Sequence, residues 1–294
     1  MSNPKSPAWY GGGISTIVGE QPGVGSIFYV DGTNGLDAND GLTPDTPVLT
    51  LTYAISLCAA GQNDYIIVLG YPGSAAGETW PIAMTKSKVH LIGTPAQANP
   101  SPLLTPTGDT DAIVITASNC EVSGLEISAG ATGCGILVSG VTWKTHIHDC
   151  WFAWQGTGQD GIRLSAGTDD APSAHIHDNY FGMGLTRNGI RVTFNSTRSI
   201  IEDNLFCDVP SGSVGLLVVN EFANGVILNN KFQVADAANG EAITLPATCN
   251  NCMVDGNIAM QGVVAMANNG FRDLGASHWG WNVSSITAAL PVTV

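Results

Sequence analysis

Charge is scarce in this chain, and positive charge most of all. Only 12% of its 294 residues are charged, Lys and Arg number 10 against 24 Asp plus Glu, and the formal net charge is −14. So few cations, with no basic run, exclude nucleic acid or an anionic membrane as the main partner. Long apolar runs are missing too: nothing approaches the ~18 uninterrupted apolar residues of a membrane span. The first 25 residues are rich in Gly, Pro and Ser and lack the apolar centre of a secretory signal. Cysteines are few, odd in number and scattered (Cys58, Cys120, Cys134, Cys150, Cys207, Cys249, Cys252), unlike a disulfide framework. Cys249-Asn-Asn-Cys252 has the spacing of half a zinc site, but without a second pair or a His it reads as a turn with two small buried side chains.

What the chain does contain is a repeat. Ile147-His-Asp-Cys-Trp-Phe152, Ile176-His-Asp-Asn-Tyr-Phe181, Ile201-Glu-Asp-Asn-Leu-Phe206 and Ile227-Leu-Asn-Asn-Lys-Phe232 share one phrase, with degenerate copies at 122–127 and 254–259. Their first residues are separated by 25, 29, 25, 26 and 27 positions. Such a period means stacked supersecondary units. A second phrase keeps step: Gly135-Ile-Leu-Val138, Gly161-Ile-Arg-Leu164, Gly189-Ile-Arg-Val192 and Gly215-Leu-Leu-Val218. Each unit therefore holds at least two short strands, with Gly, Asn and Asp expected at corners that need left-handed backbone. Coils of this length stacked at the ~4.8 Å strand spacing give a parallel β-helix, an all-β fold. The fourth residue of the phrase lines up Asn179, Asn204, Asn230 and Asn257 behind Leu125 and Cys150. The sixth lines up Ile127, Phe152, Phe181, Phe206 and Phe232 as an inward column.

The ends read differently. Residues 1–25 lack any period and form an extended arm, whose Trp9, Tyr10, Ile14, Ile17 and Val18 call for an ordering partner. The β-helix proper spans 26–260. Leu51, Ala54, Ile55, Leu57 and Cys58 have the spacing of a short amphipathic helix over about 50–60, with Thr50 as N-cap and Gly61 ending it. That helix would cover the open end of the solenoid. Asp37-Ala-Asn-Asp40-Gly41 has part of a calcium loop but lacks its remaining ligands. After Asn257 the pattern decays, and 261–294, with Trp279 and Trp281, is expected to form a C-terminal cap or subunit contact.

The opening Tyr29-Val-Asp-Gly, Asn39-Asp-Gly-Leu-Thr-Pro-Asp45, Thr50-Leu-Thr-Tyr-Ala-Ile55 and Tyr65-Ile-Ile-Val-Leu-Gly70, together with the Ile-x-Asp-Asn-x-Phe coils, resembles the pectin-lyase-like right-handed β-helix superfamily over roughly residues 26–260. The resemblance implies the fold. Function within that superfamily ranges over lyases, hydrolases, epimerases, adhesins and viral spikes. The arm and the Trp-bearing tail look most like bacteriophage virion proteins of the decoration or tailspike type. That resemblance implies a non-enzymatic structural protein on the virion surface, a homotrimer docked to other virion proteins through its arm or C-terminal segment. The alternative is a carbohydrate-active β-helix: a glycan-binding tailspike, a polysaccharide lyase or a glycoside hydrolase.

Candidate chemistry is sparse. Paired carboxylates for glycoside hydrolysis are limited to Asp160, Asp169 and Asp170, all in turn-like sequence, and the Asn-Thr-Asp, Gly-His-Gly and Arg-Ile-Lys phrases of the polygalacturonases are missing. Arg163 and Arg191 occupy matching places on adjacent coils and are positioned to flank Asp160 as a lyase would need; the plainer reading is outward rungs bridging acidic neighbours. His146, His148, His175 and His177 should form a square one strand spacing across, able to hold a transition metal or to serve as a polar exterior ladder continuing to Glu202 and Asp255. Trp151 and Trp154 are candidates for stacking on sugars or for side packing. No complete catalytic motif is present, and no cofactor is expected.

Overall fold

A computed structural model describes residues 25–94, 101–130, 132–152, 160–165, 173–182, 187–193, 195–209, 212–234, 240–261, 270–274, 276–284 and 292–293. Each coil contributes one strand in turn to three parallel sheets of 10, 9 and 9 strands. In the central coil these strands are Thr145–His148 in the first sheet, Trp151–Phe152 in the second and Asp160–Ser165 in the third. The phrase repeat sets the register. Val122, Ile147, Ile176, Ile201, Ile227 and Val254 pair in succession and are fully buried in one internal file. The right-handed parallel β-helix expected from the sequence is the observed fold.

Two internal ladders hold successive coils together. Phe152, Phe181, Phe206 and Phe232 stack with centroids 4.7, 4.5 and 4.5 Å apart and interplanar angles of 10° or less. Beside this column the glycines of the second phrase have a packing role. A Cβ on Gly161 would lie 2.7 Å from the Phe181 ring, and Gly135, Gly189 and Gly215 abut Phe152, Phe206 and Phe232 in the same way. These glycines are not the left-handed corners. That conformation falls at Gly124, Asp149, Asp178, Asp203, Asn229 and Gly256, one step after the strands of the first sheet. The next residue begins the Asn ladder. Asn204 Nδ2 donates to the carbonyls of Ile176 and Glu202 and to Asn230 Oδ1, each at 2.9 Å, while its Oδ1 accepts the Asn179 backbone N–H at 3.1 Å. Backbone groups that a corner would bury unpaired are thus satisfied coil by coil.

The ladder outlasts the visible repeat. Asn257 donates to Asn282 Oδ1 at 2.9 Å, Val254 pairs with Trp279, and Ile258 with Val283. Trp279 takes the place of the inward Ile, which hides the copy from simple alignment, and the coil continues past Asn257 in register. At the other end the helix is Leu51–Leu57, shorter than the expected 50–60. Thr50 caps it as expected, and Cys58 leaves in an extended conformation while Lys86 Nζ donates to the Ser56 and Cys58 carbonyls at 2.7 and 2.6 Å. Asp37 of the calcium-like loop is occupied by the Leu49 and Thr50 N–H groups and the Thr50 hydroxyl, so it braces the cap. The arm, apart from Gly25, lies outside the described residues.

Candidate functional site: an arginine cluster on the third sheet

After Gly161, side chains of Asp160–Ser165 alternate, with Ile162 and Leu164 inward and Arg163 outward. Arg163 pairs in register with Arg191, and Asp160 with Asn188. The Asp160 side chain is fully buried. Its Oδ2 accepts from Arg163 Nε and Nη2 at 2.9 and 2.7 Å and from Arg187 Nη2 at 2.7 Å; its Oδ1 accepts from Arg187 Nε at 3.1 Å and Asn188 Nδ2 at 2.7 Å. Burial alone would raise the Asp160 pKa, but the donors from Arg187, Asn188 and Arg163 outweigh it and hold the carboxyl below its ordinary range. A carboxylate kept ionised with both oxygens filled has no proton to give and no lone pair to spare for taking one. Asp169 and Asp170 lie outside the described residues.

One coil below, Cys134 donates its N–H and thiol to Asp111 Oδ1 at 2.8 and 3.0 Å. Burial, reinforced by Asp111, pushes the Cys134 thiol up. Among the described residues, three guanidinium groups face the carboxylates of Asp111 and Asp160, an excess of one formal positive charge. Arg191 carries it: Arg163 and Arg187 are paired to Asp160, whereas the buried Nε of Arg191 meets no partner among the described residues. Burial first, then repulsion from Arg187, lowers the Arg191 pKa. A desolvated guanidinium with open donors is a receptor for a planar oxyanion. Sequence reading missed Arg187 and Asn188. Extending the second phrase one residue upstream aligns Asp160 with Asn188 and would have found Asn188, whereas Arg187 lies one residue further out.

The four histidines stand as expected on the outer face of the first sheet. His148 and His177 stack at 4.8 Å and 3°, while His146 and His175 meet edge-on at 5.3 Å. Their nitrogens turn apart. His148 Nε2 lies 2.9 Å from Glu121 and its Nδ1 2.8 Å from Asp149; His175 Nε2 lies 2.7 Å from Glu202; His177 Nδ1 lies 2.9 Å from Asp178. Among the described residues no three His, Cys, Asp or Glu side chains converge as a metal requires. Cys249 and Cys252 are both buried and hydrogen-bonded to each other, which raises the first thiol and lowers the second.

Trp151 projects from the second sheet, 45% exposed, with Tyr180 edge-on at 5.4 Å. An open groove of about 410 Å³ lies between Ser101, Asp149, Cys150, Trp151, Asp178 and Tyr180. Trp154 lies outside the described residues.

No family model and no curated protein matches the chain. Among solved structures it is similar to a rhamnogalacturonan lyase, with a TM-score of 0.51 and 12% identity over 91% of this chain and 89% of that one. It is also similar to an alginate lyase from Paenibacillus sp. str. FPU-7 (TM-score 0.48, 15% identity, 81% and 94% covered) and a GH136 lacto-N-biosidase from Eubacterium ramulus (TM-score 0.49, 12% identity, 89% and 68% covered). The match to the first of these agrees with the parallel β-helix fold. These neighbours are carbohydrate-active enzymes, and the fold match to a polysaccharide lyase overturns the expected role as a non-enzymatic virion structural protein. That role rested on the arm and the tail, where a resemblance of composition says little about chemistry.

Proposed function

We propose that this chain is a carbohydrate-active β-helix that binds an acidic polysaccharide across the outer face of the third sheet, with Arg191 pairing to a carboxylate of the polymer. The observation that carries this reading is the half-buried Arg191, whose Nε lacks a partner among the described residues of a chain of net charge −14. Leaving a buried polar group unpaired costs about 1–3 kcal/mol, which a bidentate carboxylate recovers. Arg163 and Arg187, held by Asp160, supply a fixed positive floor beside it. The rhamnogalacturonan lyase that shares the fold supports a uronate-containing polymer as the ligand class.

For bond cleavage, the described residues of the cluster offer a cation for elimination and no free carboxyl for hydrolysis. Hydrolysis needs two carboxyl groups about 5–9.5 Å apart, one of them protonated, and Asp160 is ionised and fully occupied. Elimination needs a cation on the uronate carboxylate, a base to take the neighbouring C–H proton and a proton for the leaving oxygen; among the described residues Arg191 provides the first of these. The test is to incubate the whole chain with rhamnogalacturonan and with alginate, following unsaturated uronate products and, separately, retardation in gels containing each polymer. Retardation by an acidic polymer that Arg191→Ala removes and Arg191→Lys partly keeps supports the reading. If neither polymer retards the protein, or Arg191→Ala behaves as wild type, the reading fails.

A further inference from the structure

The groove at the corner between the first and second sheets is a built site with the opposite charge preference. We propose that it is a subsite for a neutral pyranose ring, stacked on Trp151 and hydrogen-bonded through its hydroxyls to Asp149 and Asp178. This goes beyond the Arg191 reading and does not rest on it, since the two sites share no residue.

Three features make the groove a receptor. The first is an aromatic platform fixed before any ligand arrives. Tyr180 meets the Trp151 indole edge-on, and the Tyr180 hydroxyl is itself hydrogen-bonded to Cys207, which pushes the phenol up to about 12. Gly182 leaves room for this arrangement, since a Cβ there would sit 3.1 Å from both Trp151 Nε1 and the Tyr180 ring. An aromatic face already held in place loses little freedom when a sugar's C–H face covers it.

The second feature is a matched pair of acceptors. Asp149 and Asp178 occupy the same left-handed corner position on consecutive coils, with φ of 52° and 53°. Each gives its Oδ2 to the Nδ1 of the preceding histidine, at 2.8 and 2.9 Å, and the two imidazoles are stacked within 3° of parallel. The Ile-His-Asp phrase therefore presents two carboxylates in one orientation about one strand spacing apart, and among the described residues no donor reaches Oδ1 of either, which can accept from a hydroxyl. An anion would be repelled here, whereas a polyol has several O–H groups to offer.

The third is space. The groove's volume of about 410 Å³ falls in the roughly 300–1,000 Å³ range of small-ligand sites.

The experiment is calorimetric titration of the whole chain with neutral gluco-, galacto- and manno-oligosaccharides, with protonated glucosamine and galacturonate as charged comparators. At least one neutral series is expected to bind. Trp151→Ala should weaken it by about tenfold or more, Trp151→Phe by less, and Asp149→Asn with Asp178→Asn by several-fold, while Arg191→Ala leaves it unchanged. Trp151 points outward, so circular dichroism of the variants should match wild type, and the Phe variant keeps the test valid if the Ala variant misfolds. The proposal is overturned if no neutral oligosaccharide binds, if glucosamine alone does, or if Trp151→Ala binds as wild type. Failure here leaves the acidic-polymer retardation at Arg191 intact, so the two readings fall separately.

Discussion

Asp160 shows how a residue with the composition of a catalytic acid becomes a structural anion. Five N–H donors reach its two oxygens. Asp160→Asn keeps the shape but leaves Arg163 and Arg187 facing each other without their counter-charge. Breaking one partner of a buried pair costs about 3–5 kcal/mol, so urea denaturation should show a loss of that order; an unchanged midpoint would contradict the structural role. Glu121 gives a pH signature. Its contacts with His148 and His90 hold its carboxyl below the usual range, and the Glu121 hydrogen bond, against the pull of burial, raises His148. A depressed carboxylate contributes stability above its unfolded value of 4.5, and this is lost as pH falls; a raised histidine contributes below its unfolded value of 6.5, and this is lost as pH rises through the folded value. The destabilisation caused by Glu121→Gln should therefore be largest between pH 4.5 and 6.5 and shrink by pH 8. His146, lowered by burial and by His175, acts the other way below 6.5; because Glu121 raises it, Glu121→Gln lowers it further and adds to the loss in the same window. A difference that is flat with pH would sink this assignment. Asp160, Arg163 and Arg191 were legible because a repeat places equal positions side by side; what each carboxylate oxygen accepts was not, because Arg187 lies outside both phrases.

At the scale of the element, the corner and the stack divide the work. Gly189→Ala would push a methyl into the Phe206 ring, which is fixed between Phe181 and Phe232. Overpacking of this kind costs about 1–3 kcal/mol and should appear as a lowered Tm; an unchanged Tm would mean that the stack yields. Asn204→Ala strands two carbonyls, a neighbouring amide and a backbone N–H, for a loss of at least about 3 kcal/mol by denaturant titration. A loss below about 1 kcal/mol would show that water replaces the ladder. The Phe and Asn columns could be read from the phrase spacing, since coil length fixes which residues stack. The role of the Gly phrase could not, because a glycine demanded by a neighbouring ring and one demanded by positive φ look alike in sequence. The last coil escaped for a related reason: with Trp279 in the Ile position, only Asn282 keeps the pattern.

For the whole molecule, distribution of charge matters more than its sum. The net charge of −14 includes only five arginines, and Arg163, Arg187 and Arg191 gather on one face of the third sheet. Two carboxylates are spent there, and the residual cation is the charged group whose buried donor meets no partner among the described residues. Solenoid stiffness then holds that cation at a fixed place along a repeating surface, as a polymer ligand needs. The measurement that bears most directly on this is calorimetric titration of wild type and Arg191→Ala with an acidic oligosaccharide at two salt concentrations. Binding by wild type that weakens with salt, and falls about tenfold or more on losing one charge-assisted contact, is the expected result. Equal affinity of the two proteins, or no binding by wild type, would contradict it.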